Sequence, residues 1–177
     1  MRVDILAGKV TVILGGAASG KSAIAEQACV STGKNRFYWA TSQILDSEMH
    51  QRVNTHIAQR GSGWTTIEEP FECATAISQM TRDDILLMEC ATMWLSNHMM
   101  ADHDLEHQTE ALLRSFATCA ADIVVVTNET GLGIVPENAL ARRFREAQGR
   151  LNIALAAQAD CVVLVTAGLA QTLKGVM

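Results

Sequence analysis

The eight residues Gly15–Ser22 constrain the fold of this chain more than any other segment. They read G-G-A-A-S-G-K-S, which fits the pattern G-x-x-x-x-G-K-S, and they directly follow the apolar run Val10–Leu14. A buried strand that leads into a glycine-rich turn and then a helix directs backbone N–H groups and the positive end of a helix dipole to one spot. The pattern therefore predicts a phosphate-binding loop, or P-loop, that holds a nucleoside triphosphate. An ordinary glycine-rich turn before a helix is the alternative interpretation.

Every residue of the predicted P-loop is a candidate nucleotide-binding residue: Gly15, Gly16, Ala17, Ala18, Ser19, Gly20, Lys21 and Ser22. In such a loop the lysine amine reaches the outer phosphates, and the hydroxyl of the next residue binds Mg²⁺. Lys21 is thus a candidate catalytic residue and Ser22 a candidate metal ligand. The expected cofactor is Mg²⁺, with GTP or ATP as the substrate.

The composition indicates one acidic α/β domain. The 177 residues are enough for a single buried core, so we expect one catalytic domain over 1–177. Fourteen Lys and Arg against nineteen Asp and Glu give a net charge of −5, which argues against a nucleic-acid partner. Five scattered cysteines without a C-x-x-C pair argue against zinc and favour a reducing compartment. Because no signal peptide and no apolar stretch of membrane-spanning length is found, we expect a soluble cytoplasmic protein.

Short apolar runs alternate with helical patterns, which is typical of a mostly parallel sheet with helices on both faces. The predicted strands are Val10–Leu14, Phe37–Ala40, Trp64–Ile67, Ile85–Met88, Ile123–Thr127 and Cys161–Thr166. The predicted helices are Lys21–Val30, Ser47–Arg60, Glu72–Met80, Thr92–Met100, Glu106–Ala120 and Glu137–Ala157. Pro136 stands where a proline starts the last helix at no cost, because its missing N–H would have no partner there.

An acidic residue, Glu89, follows the apolar strand Ile85–Met88. The carboxyl ends of parallel strands open beside a phosphate loop, so a carboxylate there can bind Mg²⁺ directly or through water. Aspartate is more usual at such a position, and acidic residues are also common in loops after strands. Together with the P-loop, the pattern favours Glu89 as a metal ligand beside Ser22.

His56 is the histidine for which the sequence leaves a chemical role open. On the predicted helix it shares a face with Met49, Val53 and Arg60, so a partly buried histidine on a packing face is one interpretation. A nucleophile is the other, because a neutral imidazole can attack phosphorus and form a transferable phosphoramidate. Spacing alone does not choose between them. The remaining histidines form no metal-ligand set and are expected at the surface: His50, His98, His103 and His107.

The loop Thr127–Pro136 follows another apolar strand and carries two glycines and a proline. Loops at the carboxyl ends of strands in such a sheet bind substrates. The loop is not the guanine-reading N-K-x-D of signalling GTPases, because Asn128 is followed by Glu, Thr and Gly. A regulatory GTPase is therefore disfavoured.

Beyond the P-loop, five further segments resemble the adenosylcobinamide kinase/adenosylcobinamide-phosphate guanylyltransferase family. They are A-T-S-Q at Ala40–Gln43, D-S-E-M-H-Q-R-V-N-T-H at Asp46–His56, W-T-T-I-E-E-P at Trp64–Pro70, V-V-V-T-N-E-T-G-L-G-I-V-P-E-N-A-L-A-R-R-F-R-E at Val124–Glu146 and G-R-L-N at Gly149–Asn152. Their order and spacing hold from Gly15 to about Lys174. The block T-N-E-x-G-x-G-I-V-P-E is far more specific than the P-loop pattern.

The resemblance implies a bifunctional enzyme of cobalamin biosynthesis with a RecA-like P-loop fold. Such an enzyme phosphorylates the aminopropanol hydroxyl of adenosylcobinamide with ATP or GTP. It then transfers GMP from GTP to adenosylcobinamide phosphate, which gives adenosylcobinamide-GDP and pyrophosphate. In the family a histidine first carries the guanylyl group, and the R-x-x-x-H match gives that role to His56. The implied assembly is a homotrimer.

The family's nucleotide contacts carry over to the P-loop and to nine further residues: Ala40, Thr41, Ser42, Ile57, Ala58, Gln59, Arg60, Glu68 and Glu89. This chain departs from the family at Ala18, where arginine is frequent, and at Thr55, where some relatives have a second histidine. Two alternatives are another small-molecule kinase of the P-loop fold and a non-catalytic nucleotide-binding regulatory protein. A generic kinase lacks both the E-M-x-x-R-V-x-x-H helix and the T-N-E-x-G block.

Overall fold

Seven strands form one sheet in the computed structural model, which describes residues 9–43, 60–72 and 74–175. The strands are β1 (Val10–Gly15), β2 (Asn35–Ala40), β3 (Trp64–Glu68), β4 (Asp84–Glu89), β5 (Asp122–Asn128), β6 (Cys161–Thr166) and β7 (Leu169–Lys174). Their order is β3-β2-β4-β5-β1-β6-β7, and all neighbours are parallel except β6 and β7. The sheet therefore places β5 between the P-loop strand β1 and β4, the strand that ends in Glu89.

Helices cover both faces of the sheet, as the alternating pattern predicts. In the described residues they are α1 (Lys21–Ser31), α2 (Ala74–Ser78), α3 (Ala91–Met100), α4 (Leu105–Thr118) and α5 (Ala139–Gln158). One face packs on α1 through Ala25, Ala28 and Cys29. The other packs on the remaining helices, with Trp94 and Phe116 among the fully buried side chains. Because both faces are covered, the central strands are continuously apolar rather than alternating.

All six predicted strands are present, and the seventh, β7, is one that the sequence analysis did not predict. It forms a hairpin with β6, with Thr166 paired to Leu169 across a turn in which Ala167 and Gly168 have positive φ. Its outer position makes it an edge strand, and Leu169 and Leu173 are exposed. A short, weakly buried edge strand carries little of the apolar signal on which strand prediction depends.

Two helices begin two residues later than predicted, and one predicted helix lies largely outside the described residues. The last helix begins at Ala139 rather than Glu137, because Asn138 is the cap and its Oδ1 accepts from the Ala141 N–H. Pro136 therefore precedes the helix instead of starting it. The helix predicted from residue 72 to 80 is only the five-residue α2. Of the predicted helix 47–60, only Arg60 is described.

His98 is a correction to the expectation that the histidines lie on the surface. It is 2% exposed on α3, and its Nε2 lies 3.2 Å from the Phe71 carbonyl oxygen while its Nδ1 lies 2.9 Å from His103 Nδ1. Burial lowers the pKa of His98 below its ordinary value, against the hydrogen bond to Phe71. The ring of Trp94 also contacts it, at 4.4 Å between centroids. His98 thus belongs to the packing of α3 against the segment after β3.

Among the described residues, no helix combines the length and the apolar character needed to cross a bilayer.

Candidate active site

The P-loop connects β1 to α1 in a backbone conformation that its glycines permit. Gly20 has φ 92°, a left-handed conformation that side chains disfavour, and it comes directly before the first residue of α1. A Cβ at Gly15 would lie 2.6 Å from the Val165 carbonyl oxygen, so that position admits no side chain without a shift. The loop is thus fixed between the ends of β1 and β6. In the same loop, Ala17 and Ala18 are exposed, and Ala18 has φ 53°.

The turn between β6 and β7 packs directly against the P-loop. The Gly168 N–H donates to the Ser19 carbonyl oxygen at 2.8 Å. A Cβ added at Gly20 would lie 3.3 Å from the Gly168 Cα. The hairpin that the sequence analysis missed therefore supports the phosphate loop from outside the strand–loop–helix motif.

Lys21 is buried, and its amine folds back over the loop. Nζ donates to the Gly16 carbonyl oxygen at 3.1 Å, and the residue is 8% exposed. The charge of the amine therefore lies at the backbone of the P-loop. This position is consistent with the predicted contact to outer phosphates.

Ser22 and Glu89 meet across the strand that separates them. The Ser22 hydroxyl donates to Glu89 Oε1 at 3.0 Å, although β5 lies between β1 and β4. Burial raises the pKa of Glu89 to about 7, and the hydrogen bond from Ser22 and the charge of Lys21 offset this rise only in part. The second oxygen, Oε2, is buried and has no hydrogen-bond partner in the described part of the chain.

The donor set of Ser22 and Glu89 fits Mg²⁺. A hydroxyl and a carboxylate with one unpaired buried oxygen are hard oxygen ligands, which this ion prefers together with phosphate oxygens and waters. A cation here would lower the pKa of Glu89 against the effect of burial, because it would favour the ionised carboxylate. No group of three or more potential metal-ligating side chains occurs within the described ranges.

Residues 40–42 lie beside Glu89 at the carboxyl edge of the sheet. Ala40, the last residue of β2, is the register partner of both Glu68 on β3 and Glu89 on β4. Thr41 is fully buried, and its Oγ1 lies 3.1 Å and 2.9 Å from the carbonyl oxygens of Glu89 and Cys90. That hydroxyl also accepts from the Cys90 N–H at 2.9 Å, so Thr41 ties the ends of β2 and β4 together. Ser42 follows and is partly exposed.

Glu68 and Arg60, two further residues of the predicted nucleotide site, have different surroundings. Glu68 is exposed at the end of β3, about 10 Å from Glu89 given two strand spacings. Arg60 is held by protein groups: its guanidinium lies 3.7 Å from the centre of the Tyr38 ring, and Nη2 donates to Thr66 Oγ1 at 3.0 Å. The other predicted residues of this region, His56, Ile57, Ala58 and Gln59, lie outside the described residues.

A buried polar network behind the end of β5 was not anticipated from the sequence. Gln148 Nε2 donates to Thr127 Oγ1 at 3.0 Å and to Asn152 Oδ1 at 2.9 Å, and Thr127 Oγ1 donates to the same Asn152 oxygen at 2.7 Å. Asn152 in turn donates to the Asn128 carbonyl oxygen at 3.0 Å. The network anchors the end of β5 to α5. The only local signal for it is the pair of amides four residues apart on one helix face.

The loop after β5 is held by arginines from the first turns of α5. Arg142 donates to the carbonyl oxygens of Pro136 and Glu137, and Arg145 donates to those of Gly131 and Ile134. These contacts fix the loop while its apolar side chains point to solvent: Leu132 is 90% and Ile134 is 95% exposed. An ordered, exposed apolar loop thus stands at the carboxyl edge of the sheet.

The fold and the site together define a nucleotide-binding P-loop protein of the RecA-like class. Solved structures agree on the fold. The flagellar accessory protein FlaH from Methanocaldococcus jannaschii matches with a TM-score of 0.51 and 12% identity, covering 94% of this chain and 78% of that one. An ATPase from the type III secretion system of pathogenic bacteria matches with a TM-score of 0.55 and 10% identity, covering 93% and 56%.

Sequence comparisons give the family. The model described as cobinamide kinase / cobinamide phosphate guanyltransferase matches residues 11–173. The bifunctional adenosylcobalamin biosynthesis protein CobP of Pseudomonas aeruginosa is 40% identical over 167 residues, which cover 93% of this chain and 96% of that protein. CobU of Salmonella typhimurium, with the same description, is 38% identical and covers 92% and 98%. This chain therefore belongs to the cobinamide kinase / cobinamide phosphate guanyltransferase family, as its motifs indicate.

Proposed function

We propose that this chain catalyses both reactions of its family: it phosphorylates adenosylcobinamide with ATP or GTP, and it transfers GMP from GTP to the resulting phosphate. The observation that carries the proposal is the family match over residues 11–173, together with a P-loop whose Ser22 is joined to Glu89. Both reactions need one bound nucleoside triphosphate with its phosphates neutralised. Positioning and charge neutralisation dominate such transfers, so few acid–base groups are required.

In the kinase step, the substrate hydroxyl oxygen attacks the γ-phosphorus, the bond from that phosphorus to the β–γ bridging oxygen breaks, and the nucleoside diphosphate leaves. The hydroxyl proton is released to solvent. The P-loop amides and the amine of Lys21, held at 3.1 Å from the Gly16 carbonyl oxygen, stabilise the charge that develops on the phosphates. Mg²⁺, held by Ser22 and Glu89, would add positive charge at the phosphate oxygens.

In the guanylylation step, an imidazole nitrogen of His56 attacks the α-phosphorus of GTP, and pyrophosphate leaves. A phosphate oxygen of adenosylcobinamide phosphate then attacks the same phosphorus, and the P–N bond breaks to release the neutral histidine. The attacking imidazole must be neutral, and at pH 7.5 most histidine side chains with an ordinary pKa are neutral. In this step the P-loop binds the pyrophosphate that leaves, while His56 carries the guanylyl group.

The proposal extends to the remaining nucleotide contacts. Residues 40–42, Glu68 and Glu89 lie at the carboxyl edge of the sheet, and we assign them to GTP or ATP. The family resemblance extends the same assignment to residues 57–60. Thr41 acts there through its backbone position, since its hydroxyl is bonded to the segment Glu89–Cys90. A homotrimeric assembly and a cytoplasmic location belong to the same proposal, and light scattering on purified protein tests the first.

Two radioactive labels test the function. With α-labelled GTP, the wild-type protein should acquire an acid-labile, base-stable label, and His56→Ala should not. With γ-labelled ATP or GTP, both proteins should phosphorylate adenosylcobinamide, whereas Lys21→Ala should lose both activities. His50→Ala is the matched control, because it removes a histidine of the same segment and should keep both. Label that persists in His56→Ala would contradict the histidine assignment, and a wild-type protein that phosphorylates no cobinamide would contradict the function.

A further inference from the structure

The end of β5 lies between the two parts of the candidate active site. Asn128, its last residue, is the register partner of Gly15, the first residue of the P-loop. On the other side of β5, Val126 is the register partner of Glu89. Asn128 thus stands at the carboxyl edge, flanked by the P-loop and by the strand that carries Glu89. In the sequence, this residue lies in the predicted substrate-binding loop Thr127–Pro136 and does not fit the guanine-reading motif.

The backbone of Asn128 is fixed from three directions. Its N–H donates to Thr92 Oγ1 at 2.8 Å, and its carbonyl oxygen accepts from Asn152 Nδ2 at 3.0 Å. The next N–H, that of Glu129, donates to the Gly15 carbonyl oxygen at 3.0 Å. Helices α3 and α5 and the P-loop therefore hold this residue in place. A side chain on such a backbone is already oriented before any ligand arrives.

The side chain of Asn128 is the exception among the asparagines that the structure describes. The amides of Asn35, Asn97, Asn138 and Asn152 each make at least one hydrogen bond. The Oδ1 of Asn128 is buried, and no described residue bonds to it. Buried polar atoms are nearly always paired, so an unpaired one points to a missing partner. Further buried oxygens near this edge also lack a described partner: Ser19 Oγ and Glu89 Oε2 belong to the phosphate site, whereas Thr130 Oγ1 and Gln148 Oε1 belong to the loop and the helix that follow β5.

We propose that the Asn128 amide binds the terminal phosphate of the bound nucleoside triphosphate and aligns it for transfer. The lysine of a P-loop contacts the outer phosphates, and Lys21 Nζ lies at the Gly16 carbonyl oxygen. Gly16 directly follows Gly15, the register partner of Asn128. A half-turn about the Cβ–Cγ bond exchanges the two ends of the amide, so the buried position can present N–H donors to a phosphate oxygen. The transfer role rests on the proposed kinase function, whereas the phosphate contact does not.

Binding of nucleotides alone tests the contact. Purified wild-type protein and Asn128→Ala are titrated with GDP and with a GTP analogue whose β–γ bridge is an imido group. The variant should bind GDP as wild type does and the analogue about ten-fold or more weakly, because a hydrogen bond to a charged group is lost. Asn128→Asp, nearly the same shape, should bind the analogue still more weakly because its charge repels the phosphate. Asn35→Ala, at the opposite end of the sheet, is the control and should bind both ligands normally.

Single-turnover transfer of the γ-phosphoryl group to adenosylcobinamide tests the alignment. The rate should fall about ten- to hundred-fold in Asn128→Ala at saturating nucleotide, while the unfolding temperature without nucleotide should not fall. Equal losses for GDP and the analogue, or no loss for either, would overturn the proposal. So would a ligand-free unfolding temperature several degrees lower combined with normal transfer, since that pattern indicates a structural role. A failure of wild type to use cobinamide would count against the proposed function and leave the nucleotide titration decisive for Asn128.

Discussion

The two ends of β4 each carry a carboxylate, and the two carboxylates have opposite surroundings. Asp84 begins the strand and accepts from the Thr81 N–H at 2.7 Å, from Thr81 Oγ1 at 2.9 Å and from Asn35 Nδ2 at 2.9 Å. Glu89 ends the strand and accepts one hydrogen bond, from Ser22, while its Oε2 is unpaired in the described part of the chain.

The pKa values of these two groups follow from their partners. Burial would raise the pKa of Asp84, but hydrogen bonds from Thr81 and Asn35 and the charge of Lys34 outweigh it and lower that pKa. At Glu89 burial prevails, and the pKa rises to about 7. The comparison separates a carboxylate that completes the fold from one that lacks partners in the nucleotide-free protein. It predicts that the first matters for stability and the second for activity.

The largest expected effect is the loss of activity in Glu89→Gln. Single-turnover phosphoryl transfer should fall about 10²- to 10³-fold, the range for losing one preorganised electrostatic contact. The free energy of unfolding without nucleotide should stay the same or rise, because a neutral amide replaces a buried acid. Chemical denaturation measures the second quantity. Glu110→Gln, which alters an exposed i,i+4 pair with Arg114, is the control and should change neither the transfer rate nor the free energy of unfolding. Normal phosphoryl transfer in Glu89→Gln would contradict the functional role of Glu89.

Asp84→Ala should show the reverse pattern. Its removal leaves the Thr81 and Asn35 donors without their acceptor, so the free energy of unfolding should fall by about 2–4 kcal/mol. The folded fraction should transfer phosphate at a rate within about two-fold of wild type. Asp83→Ala, at an exposed neighbour, provides the control and should stay within about 0.5 kcal/mol. Loss of activity without loss of stability in Asp84→Ala would contradict the assignment of Asp84 to stability and of Glu89 to activity.

The pH dependence of stability should have opposite signs at the two ends. The pKa of Glu89 is raised from 4.5 to about 7. Its contribution to the free energy of unfolding is therefore fully present below pH 4.5 and is lost as pH rises through 7. Within that window the free energy of unfolding should fall by about 1.4 kcal/mol per pH unit from this group. The pKa of Asp84 is lowered, so its contribution is present above 3.8 and is lost as pH falls further. Denaturation of Glu89→Gln and of wild type at several pH values between 4.5 and 8 measures the contribution of Glu89. The same pH dependence of the free energy of unfolding in both proteins would contradict this prediction.

The smallest expected effect concerns the hairpin that supports the P-loop. Gly168 has φ 76°, so Gly168→Ala should cost about 1 kcal/mol of unfolding free energy and weaken the contact to the Ser19 carbonyl oxygen. The KM for nucleotide should rise a few-fold with kcat nearly unchanged. Gly33→Ala, at a glycine with φ 70° and open space around it just before β2, is the control: it should cost a similar free energy and leave the KM unchanged. An equal rise in KM for both variants would show that the hairpin does not support the loop.

Local sequence patterns predicted most of the sheet and the P-loop, because continuous apolar runs and a glycine-rich turn are encoded within a few residues. Glu89 was found for the same reason, as an acidic residue that directly follows an apolar strand. Asn128 was predicted only as part of a substrate-binding loop, because its place between the P-loop and Glu89 depends on β5 lying between β1 and β4, which is a property of topology and not of neighbouring residues. His98 was placed at the surface because Phe71, which contacts it, is remote in sequence, and the i,i+4 spacing to Trp94 on the same helix was not used.

A crystal structure of the protein with Mg²⁺ and a non-hydrolysable GTP analogue tests the central claim most directly. The claim is that three unpaired buried oxygens beside the P-loop, Glu89 Oε2, Ser19 Oγ and Asn128 Oδ1, mark contacts for the nucleotide and its metal ion. The expected result places Glu89 Oε2, Ser19 Oγ and the Asn128 amide within hydrogen-bond distance of a phosphate oxygen, the metal ion or a metal-bound water. Phosphates bound elsewhere, with these three groups still unpaired, would contradict the account.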